Sequence, residues 1–298
     1  MMEAAVLRRF DAAPTIEPMP VPQPGPGEVR ITVRAAGVTL VDALITAGRY
    51  QIRPDLPWIP GSECAGLVDA IGAGVEEYAV GDRVCGLGWS GVTAQYVCLP
   101  VGDIARVPDG LEIETASVLR VAYTTAWHAL VDRARAVAGE RLLVLGASGA
   151  VGSAAVAVGT WLGLDVTAFS RRSSAIETLS GDYDLVFDAV GGEASVGALS
   201  RLTPGGRFCV IGFAAGEIPR VAFNRILLRE AAVIGVNIGA FTRRAPEQAR
   251  ANFARILALT SQGLALPRIA HRFALAQTAQ AYALAASGAG EGRIVIIP

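Results

Sequence analysis

The chain has 298 residues, of which 52% are hydrophobic and only 18% charged, with 34 glycines and a formal net charge of −1. At about 100–200 residues per domain, that length points to two domains. So apolar a chain is not disordered, and so small a net charge leaves no electrostatic footprint for nucleic acid or an anionic membrane.

All 26 basic residues are arginine. Chemistry that needs a lysine, such as a Schiff base or a phosphate-loop ammonium, is excluded. Two histidines, His128 and His271, leave little room for imidazole metal or relay chemistry. Cys64, Cys85, Cys98 and Cys209 form no C-x-x-C pair, which argues against a zinc ribbon or a thioredoxin-like motif. They are too few for a disulfide scaffold, so a reducing cytoplasm is the expected compartment. The opening Met-Met-Glu-Ala-Ala-Val lacks the basic and then apolar run of a signal peptide. Residues 142–164 carry no charge and are long enough to span a bilayer. Gly146, Gly149, Gly152, Gly159 and Gly163 divide them into a strand pattern and a helix pattern, so a buried core is expected and no membrane.

In chain order, residues 3–10 and 28–36 read as strands, and the Pro/Gly-dense stretch 14–27 as an extended loop. Further strands are expected at 65–71, 83–86 and 94–99, each bounded by turn residues, which suggests a compact barrel-like unit. A helix is expected over 112–137 with a break near Arg120. From 141 the pattern changes. Strands at 141–146, 165–170, 185–190, 207–213 and 231–238 alternate with helices, the first at 150–163, and imply a parallel, doubly wound sheet. A strand (271–275), a helix (276–287) and a last strand (293–297) are too few to fold alone, so they complete the first domain. The division expected is therefore 1–121 with 265–298, and an inserted 122–264. No internal repeat is visible.

The most informative motif is Gly146-Ala-Ser-Gly149-Ala-Val-Gly152, at a strand end and a helix start. There it reads as a dinucleotide fingerprint, with Gly-rich tight packing as the bland alternative. Gly149 would let backbone approach a pyrophosphate, and Gly152 would let helix and strand pack closely. The N–H groups of the first helical turn would meet the anion. An NAD site wants an acid about 20 residues on, for the ribose 2′-OH. Here the second strand ends Ser170-Arg171-Arg172. A hydroxyl and two guanidiniums suit a 2′-phosphate, so NADPH is expected, unless the pair is simply solvated. The stretch from Ser170 to Tyr183 is too short for two helices and a strand. One short helix at 173–180 is expected, with the third, edge strand missing and a strand order 2-1-4-5-6.

Several further landmarks follow one another: Pro24-Gly25-Pro26-Gly27-Glu28-Val29, Ala36-Gly37-Val38-Thr39-Leu40-Val41-Asp42, Pro60-Gly61-Ser62-Glu63, Gly81-Asp82-Arg83-Val84, Val186-Phe187-Asp188-Ala189-Val190-Gly191-Gly192 and Gly292-Arg293-Ile294-Val295. With these and the glycine turn, nearly the whole sequence resembles the medium-chain dehydrogenase/reductase family, in its zinc-free quinone oxidoreductase, zeta-crystallin-like branch. The resemblance implies an α/β fold: a GroES-like β-rich catalytic domain joined to a Rossmann domain, here one edge βα unit short. The zinc-dependent branch has Gly-His-Glu where this chain has Gly61-Ser62-Glu63, and no Cys or His lies near 37–42, so no metal site is expected.

The activity implied is NADPH-dependent hydride transfer to a quinone. The alternatives are reduction of an enone or enoyl substrate, and NADPH binding without catalysis, as a redox sensor or structural protein. By motif position, Thr125, Gly149, Ala150, Val151, Gly152, Ser170, Arg171, Arg172, Val190, Phe213, Asn237 and Arg293 form the expected cofactor set. Asn237 reads as a polar residue in an apolar strand, facing the carboxamide or capping the strand end. Tyr50 matches a cleft tyrosine of the family and the proton-donating tyrosine of related enoyl reductases. It is the expected catalytic residue, as proton donor or stacking ring, or else a packed tyrosine. Thr39, Asp42 and Leu44 are expected to line the acceptor. Thr39 and Leu44 depart from the family's Asn and Tyr. Arg120 replaces a Pro or small apolar residue and would contact a phosphate, an acidic substrate or solvent. His128 and His271 read as structural, and Cys64 and Cys209 as core. The apolar strand near 231–239 would lie at a sheet edge, and dimers of this kind are usual in the family, so a homodimer is expected.

Overall fold

The structure is a computed structural model that describes residues 1–170, 181–288 and 290–298. In chain order it begins with β1 (Met2–Val6), β2 (Thr15–Met19), β3 (Glu28–Val38), α1 (Leu40–Thr46), β4 (Glu63–Ile71), β5 (Arg83–Leu87), β6 (Tyr96–Pro100) and β7 (Ile104–Arg106). Next come α2 (Ile113–Ala116), α3 (Arg120–Trp127), β8 (Arg141–Leu145), α4 (Ala150–Trp161), β9 (Asp165–Phe169), β10 (Tyr183–Asp188), α5 (Gly192–Leu199) and β11 (Leu202–Val210). The remainder is α6 (Phe223–Leu228), β12 (Ala232–Gly235), α7 (Ile238–Arg244), α8 (Pro246–Thr260), β13 (Ile269–Ala274), α9 (Thr278–Ser287) and β14 (Arg293–Ile297). No described helix is long and apolar enough to cross a membrane, and residues 142–164 form β8, the glycine turn and α4.

The chain divides into two compact units, Met1–Val121 with Pro267–Pro298, and Ala122–Leu266. In the first, the sheet runs β13-β14-β3-β4-β5-β7, with β6 also on β3 and β1-β2 as a separate ladder. β13 and β14 are parallel and the other pairs antiparallel. The burial of β3 alternates, with Val29, Ile31 and Val33 inside, as a pleated strand with one core face requires. Their partners in the core include Cys64, Val68, Val84, Leu99 and Ile296.

In the second unit the five strands run β12-β11-β10-β8-β9, all parallel. With β8 and β9 as first and second and β10 to β12 as fourth to sixth, this is the expected order 2-1-4-5-6. No strand takes the third place among the described residues. The helix expected at 173–180 lies outside them. β8 lies inside the sheet between β10 and β9, and Leu142, Leu143, Val144 and Leu145 are fully buried, as a strand covered on both faces must be.

Three expectations need correction. The stretch 14–27 is not all loop, because β2 pairs with β1 in a two-stranded ladder. An edge strand tolerates Pro18, whose missing N–H breaks no central ladder. The helix of 112–137 breaks at 117–119, next to Arg120 as expected, but its second part passes from α3 into a π-turn, His128–Arg133, and ends there. The strand of 231–238 stops at Gly235, and Asn237 starts a helix instead.

Candidate functional site

In the second unit the turn after β8 is held by its own backbone. The N–H groups of Gly146 and Ala147 both donate to the Phe169 carbonyl at the end of β9, each at 3.0 Å. Gly146 has φ +81, a conformation that favours glycine. A Cβ on Gly152 would lie 2.1 Å from the Gly146 carbonyl oxygen, so any side chain there would drive α4 off the strand. Gly149 is the N-cap residue of α4 and gives it no side-chain cap, and the first turn holds no acid. The N–H groups of Ala150, Val151 and Gly152 therefore open this helix without a competing carboxylate, which is the electrostatic condition for a phosphate.

The next strand end is fixed by Asp188. Its carboxylate accepts from the N–H groups of Val190 (2.8 Å) and Gly191 (3.0 Å) and from the Ser195 hydroxyl. The turn sets Val190 against Gly146, where its Cγ2 lies 2.8 Å from the position of a Cβ. Phe213 covers Gly191, with Cδ1 2.9 Å from where a Cβ would stand. The glycine turn, Val190 and Phe213 thus share one end of the parallel sheet.

The other expected cofactor residues are placed differently. Ser170 follows β9 and is half-buried, while Arg171 and Arg172 lie outside the described residues. Thr125 is buried in α3, next to Thr124, whose buried hydroxyl has no hydrogen-bond partner among the described residues. Asn237 is exposed, not buried in a strand, and its Oδ1 accepts from Ala240 N–H (2.9 Å) as the N-cap of α7. Short polar side chains favour that position because they satisfy an orphan helical N–H. Arg293 belongs to the first unit, where Glu63 engages it.

In the first unit a polar cluster is buried beneath α1. Thr39 caps α1 in a reciprocal box with Asp42: Asp42 Oδ2 accepts from Thr39 N–H (2.9 Å) and from its hydroxyl (2.6 Å). Asp42 is 1% exposed. Glu63 Oε1 accepts from Arg293 Nη2 at 2.5 Å, and Oε2 accepts from Val121 N–H at 3.0 Å. The Nε and Nη1 of Arg293 are buried with no partner among the described residues. Burial pushes the Asp42 carboxyl above the usual carboxylate range, against the pull of Thr39, Ser62 and Arg293. It pushes Glu63 in the same direction, opposed by Arg293. Tyr282 of α9 faces the same cluster, with its hydroxyl 3.1 Å from Thr93 Oγ1, and burial raises its phenol well above normal. Thr39 and Asp42, expected to line an acceptor, are first of all the cap of α1.

This donor set does not suit zinc. Thr39 and Ser62 offer neutral hydroxyls, Asp42 is held by its cap, and Glu63 already faces a guanidinium that repels a cation. Among the described residues no three His, Cys, Asp or Glu side chains are grouped to hold a metal.

Leu44 is half-buried on α1. Tyr50 is half-buried against the cluster of Leu7, Ile45 and Trp58, with Phe10 and Leu56. Its hydroxyl bonds to no other described residue. The sequence reading gave Trp89 no role, yet it is 58% exposed. Its loop is anchored by Gly88 N–H to the Ser62 carbonyl and by Gly91 N–H to the Ile59 carbonyl, each at 2.8 Å. A run of Gly-Trp-Ser-Gly between two strands was the available signal. Arg120 is buried rather than solvent-facing. His128 stacks on Phe241 (3.8 Å, 15°) with Nδ1 2.8 Å from Asp132, an arrangement that packs α7. Burial raises the Cys64 thiol and lifts those of Cys85 and Cys209 to about 12, which leaves them un-ionised and inert.

The paired units, one β-rich and one with a glycine turn on a parallel sheet, are those of known dehydrogenases. Residues 25–109 match the family model of the alcohol dehydrogenase GroES-like domain, and residues 162–296 that of the zinc-binding dehydrogenase. The chain is 30% identical to quinone oxidoreductase-like protein 2 of Bos taurus, over 98% of this chain and 90% of that protein. It is 31% identical to a mycocerosic acid synthase-like polyketide synthase of Mycobacterium tuberculosis, over 92% of this chain but only 14% of that much longer protein. A mycobacterial protein solved in complex with NADPH shares its fold, with a TM-score of 0.88 at 24% identity and all of both chains covered. The chain belongs to the medium-chain dehydrogenase/reductase family, among its quinone oxidoreductase-like members, and is an oxidoreductase of that family.

Proposed function

We propose that this protein uses NADPH to reduce a quinone, without zinc. The observation that carries the reading is the uncapped, acid-free start of α4 beneath Gly146, with Val190 and Phe213 beside it. These residues fit a nicotinamide dinucleotide: the N–H groups of Ala150, Val151 and Gly152 hold the pyrophosphate. When bound, the nicotinamide supplies a hydride. Ser170, Arg171 and Arg172 hold the 2′-phosphate, and the lack of an acid after β9 supports NADPH over NADH. Tyr50, Leu44 and the exposed ring of Trp89 supply apolar surface for a flat acceptor. The relative named as quinone oxidoreductase-like and the NADPH complex of the structural neighbour support the same choice.

Titration with NADPH and NADH, followed by a quinone and enone panel, tests the reading. Tight NADPH binding with no turnover of either class would favour the sensor role instead. Arg171→Ala is expected to weaken NADPH by about 10–100-fold, the worth of one charge-assisted hydrogen bond, and leave NADH unchanged. Equal loss for both cofactors would remove the 2′-phosphate assignment.

We further propose a cytoplasmic homodimer joined at the free edge of β12. That edge pairs only with β11 among the described residues. Val233 of β12 is exposed, as are Ile218, Phe223, Leu227 and Leu228 in the segment that leads into it, Phe223 at 86%. Such an edge with apolar flanks invites a partner. Leu227→Arg combined with Val233→Arg should turn a dimer into a monomer in sedimentation velocity, and an unchanged mass would reject this interface. The four free cysteines suit a reducing compartment.

A further inference from the structure

Apart from the residues assigned above, the first unit holds a cavity of about 500 Å3, within the size range of small-molecule sites. Three elements wall it: β3 with Arg34, β13 with Ile269 and Arg272, and α2 with Glu112 at its N-cap. None of these residues belongs to the cofactor or acceptor sets. The charges around the cavity sort into one satisfied pair and one unsatisfied pair. Arg272 Nε donates to Glu114 Oε2 at 2.7 Å, which ties β13 to α2. That bond uses neither terminal nitrogen of the guanidinium. Arg34 and Glu112 are exposed and line the same cavity, yet neither bonds to any other described residue. The Glu112 side chain does not cap α2 either. Thr115 adds a half-buried hydroxyl, and the half-buried Ile113 and Ile269 give the wall its apolar part. Two guanidiniums thus face two carboxylates, with one of each left unpaired. A plain anion would set its charge against Glu112, and a plain cation would set its charge against Arg34, and like charges brought together are costly. A molecule that carries both charges satisfies both residues.

We propose that this cavity is a second binding site, for a small apolar zwitterion of the amino acid or dipeptide class. The ligand carboxylate meets Arg34 and the terminal nitrogens of Arg272, because a guanidinium holds a carboxylate through paired N–H groups. The Thr115 hydroxyl donates to the same carboxylate. The ligand ammonium meets Glu112, and its apolar side chain covers Ile113 and Ile269. A ligand so held bridges β3, α2 and β13, and it stabilises the fold because the unfolded chain offers no such site. The site goes beyond the reductase reading and does not rest on it.

Calorimetric titration of the full chain, without nicotinamide cofactor, tests this with L-phenylalanine and leucyl-leucine as probes. At least one of them should bind with a dissociation constant tighter than about 10 mM and raise the melting temperature. The ratio of the two affinities separates a free amino acid from a dipeptide. The N-acetylated and C-amidated forms of the probe that binds should each be weaker by about 10-fold, the low end of what a charge-assisted hydrogen bond contributes. Arg34→Ala should weaken the probe by about the same factor. Glu112→Gln should weaken the probe too, but leave its N-acetylated form unchanged. Both positions are exposed, so both variants should melt with the wild type when no ligand is present. Should Arg34→Ala melt early, Arg34→Gln keeps much of the stem and takes its place. Binding of neither probe, equal binding of the blocked and free forms, or unchanged affinity in either variant overturns the proposal. A protein that binds the probe but neither binds NADPH nor reduces a quinone rejects the reductase reading and leaves this site standing.

Discussion

Arg293→Met is expected to cost the protein about 3–5 kcal/mol of stability, because it leaves a buried carboxylate without its cation. Glu63 is 1% exposed, and Arg293 Nη2 donates to its Oε1 at 2.5 Å. The Val121 N–H at 3.0 Å would remain, and one neutral donor cannot hold a charge that water no longer reaches. Methionine fills much of the arginine's volume, so the loss reports charge rather than a cavity. Arg293→Lys should fall between, since it keeps the charge but not the planar fork. The double variant Glu63→Gln with Arg293→Met should recover most of the loss, because both partners of a buried pair can be removed together more cheaply than one. Urea midpoints at constant slope measure this. A single variant within about 0.5 kcal/mol of wild type, the range of ordinary surface changes, would show that the pair carries no such burden.

Gly152→Val should be the most damaging single change in the second unit. Its Cβ would stand 2.1 Å from the Gly146 carbonyl oxygen, 2.6 Å from the carbonyl carbon and 3.0 Å from Ala147 Cα. All three are backbone atoms in a turn pinned to Phe169, so no rotamer change relieves the clash. Either α4 moves away from β8 or the turn opens, and both spread the N–H groups meant for the pyrophosphate. NADPH should weaken by more than about 100-fold, equivalent to roughly 3 kcal/mol. A drop in melting temperature should accompany it, as overpacking at backbone contact distance demands. Gly149→Ala is the comparison, since its Cβ would meet only the Gly146 carbonyl oxygen, at 3.3 Å. It should fold normally. A Gly152→Val protein that kept both its stability and its NADPH affinity would contradict the close approach seen here.

What the sequence revealed depended on how local the cause was. The glycine turn was legible because each glycine answers a contact a few residues away: Gly152 meets Gly146, and Gly149 N–H meets the Gly146 carbonyl. The sheet order 2-1-4-5-6 among the described residues was legible because chain length limits what can be built between two strands. The Thr39-x-x-Asp42 spacing carries a capping signature, but the resemblance drew these residues toward the acceptor instead. Asn237 was misplaced because a Val-Ile-Gly-Val run reads as strand until the register ends, and only the structure shows it ending at Gly235. The Glu63–Arg293 pair was beyond such reading, since its partners lie 230 residues apart. The exposed Trp89 looked like any aromatic residue in a strand-rich stretch.

The first unit draws on both sides of the inserted one, with β14 paired to β3. This has a consequence for the order of assembly. During synthesis Glu63 emerges long before Arg293, so the acid that opens β4 is without its cation while residues 122–266 are made. The parallel-sheet unit, whose chain is continuous, can form first. The β-rich unit then closes only when residues 293–297 arrive, late and over a long loop, which is slow by its topology. A nascent chain stalled before residue 293 would hold a finished nucleotide-type unit and an unsealed sheet, the state in which a chaperone has most to do.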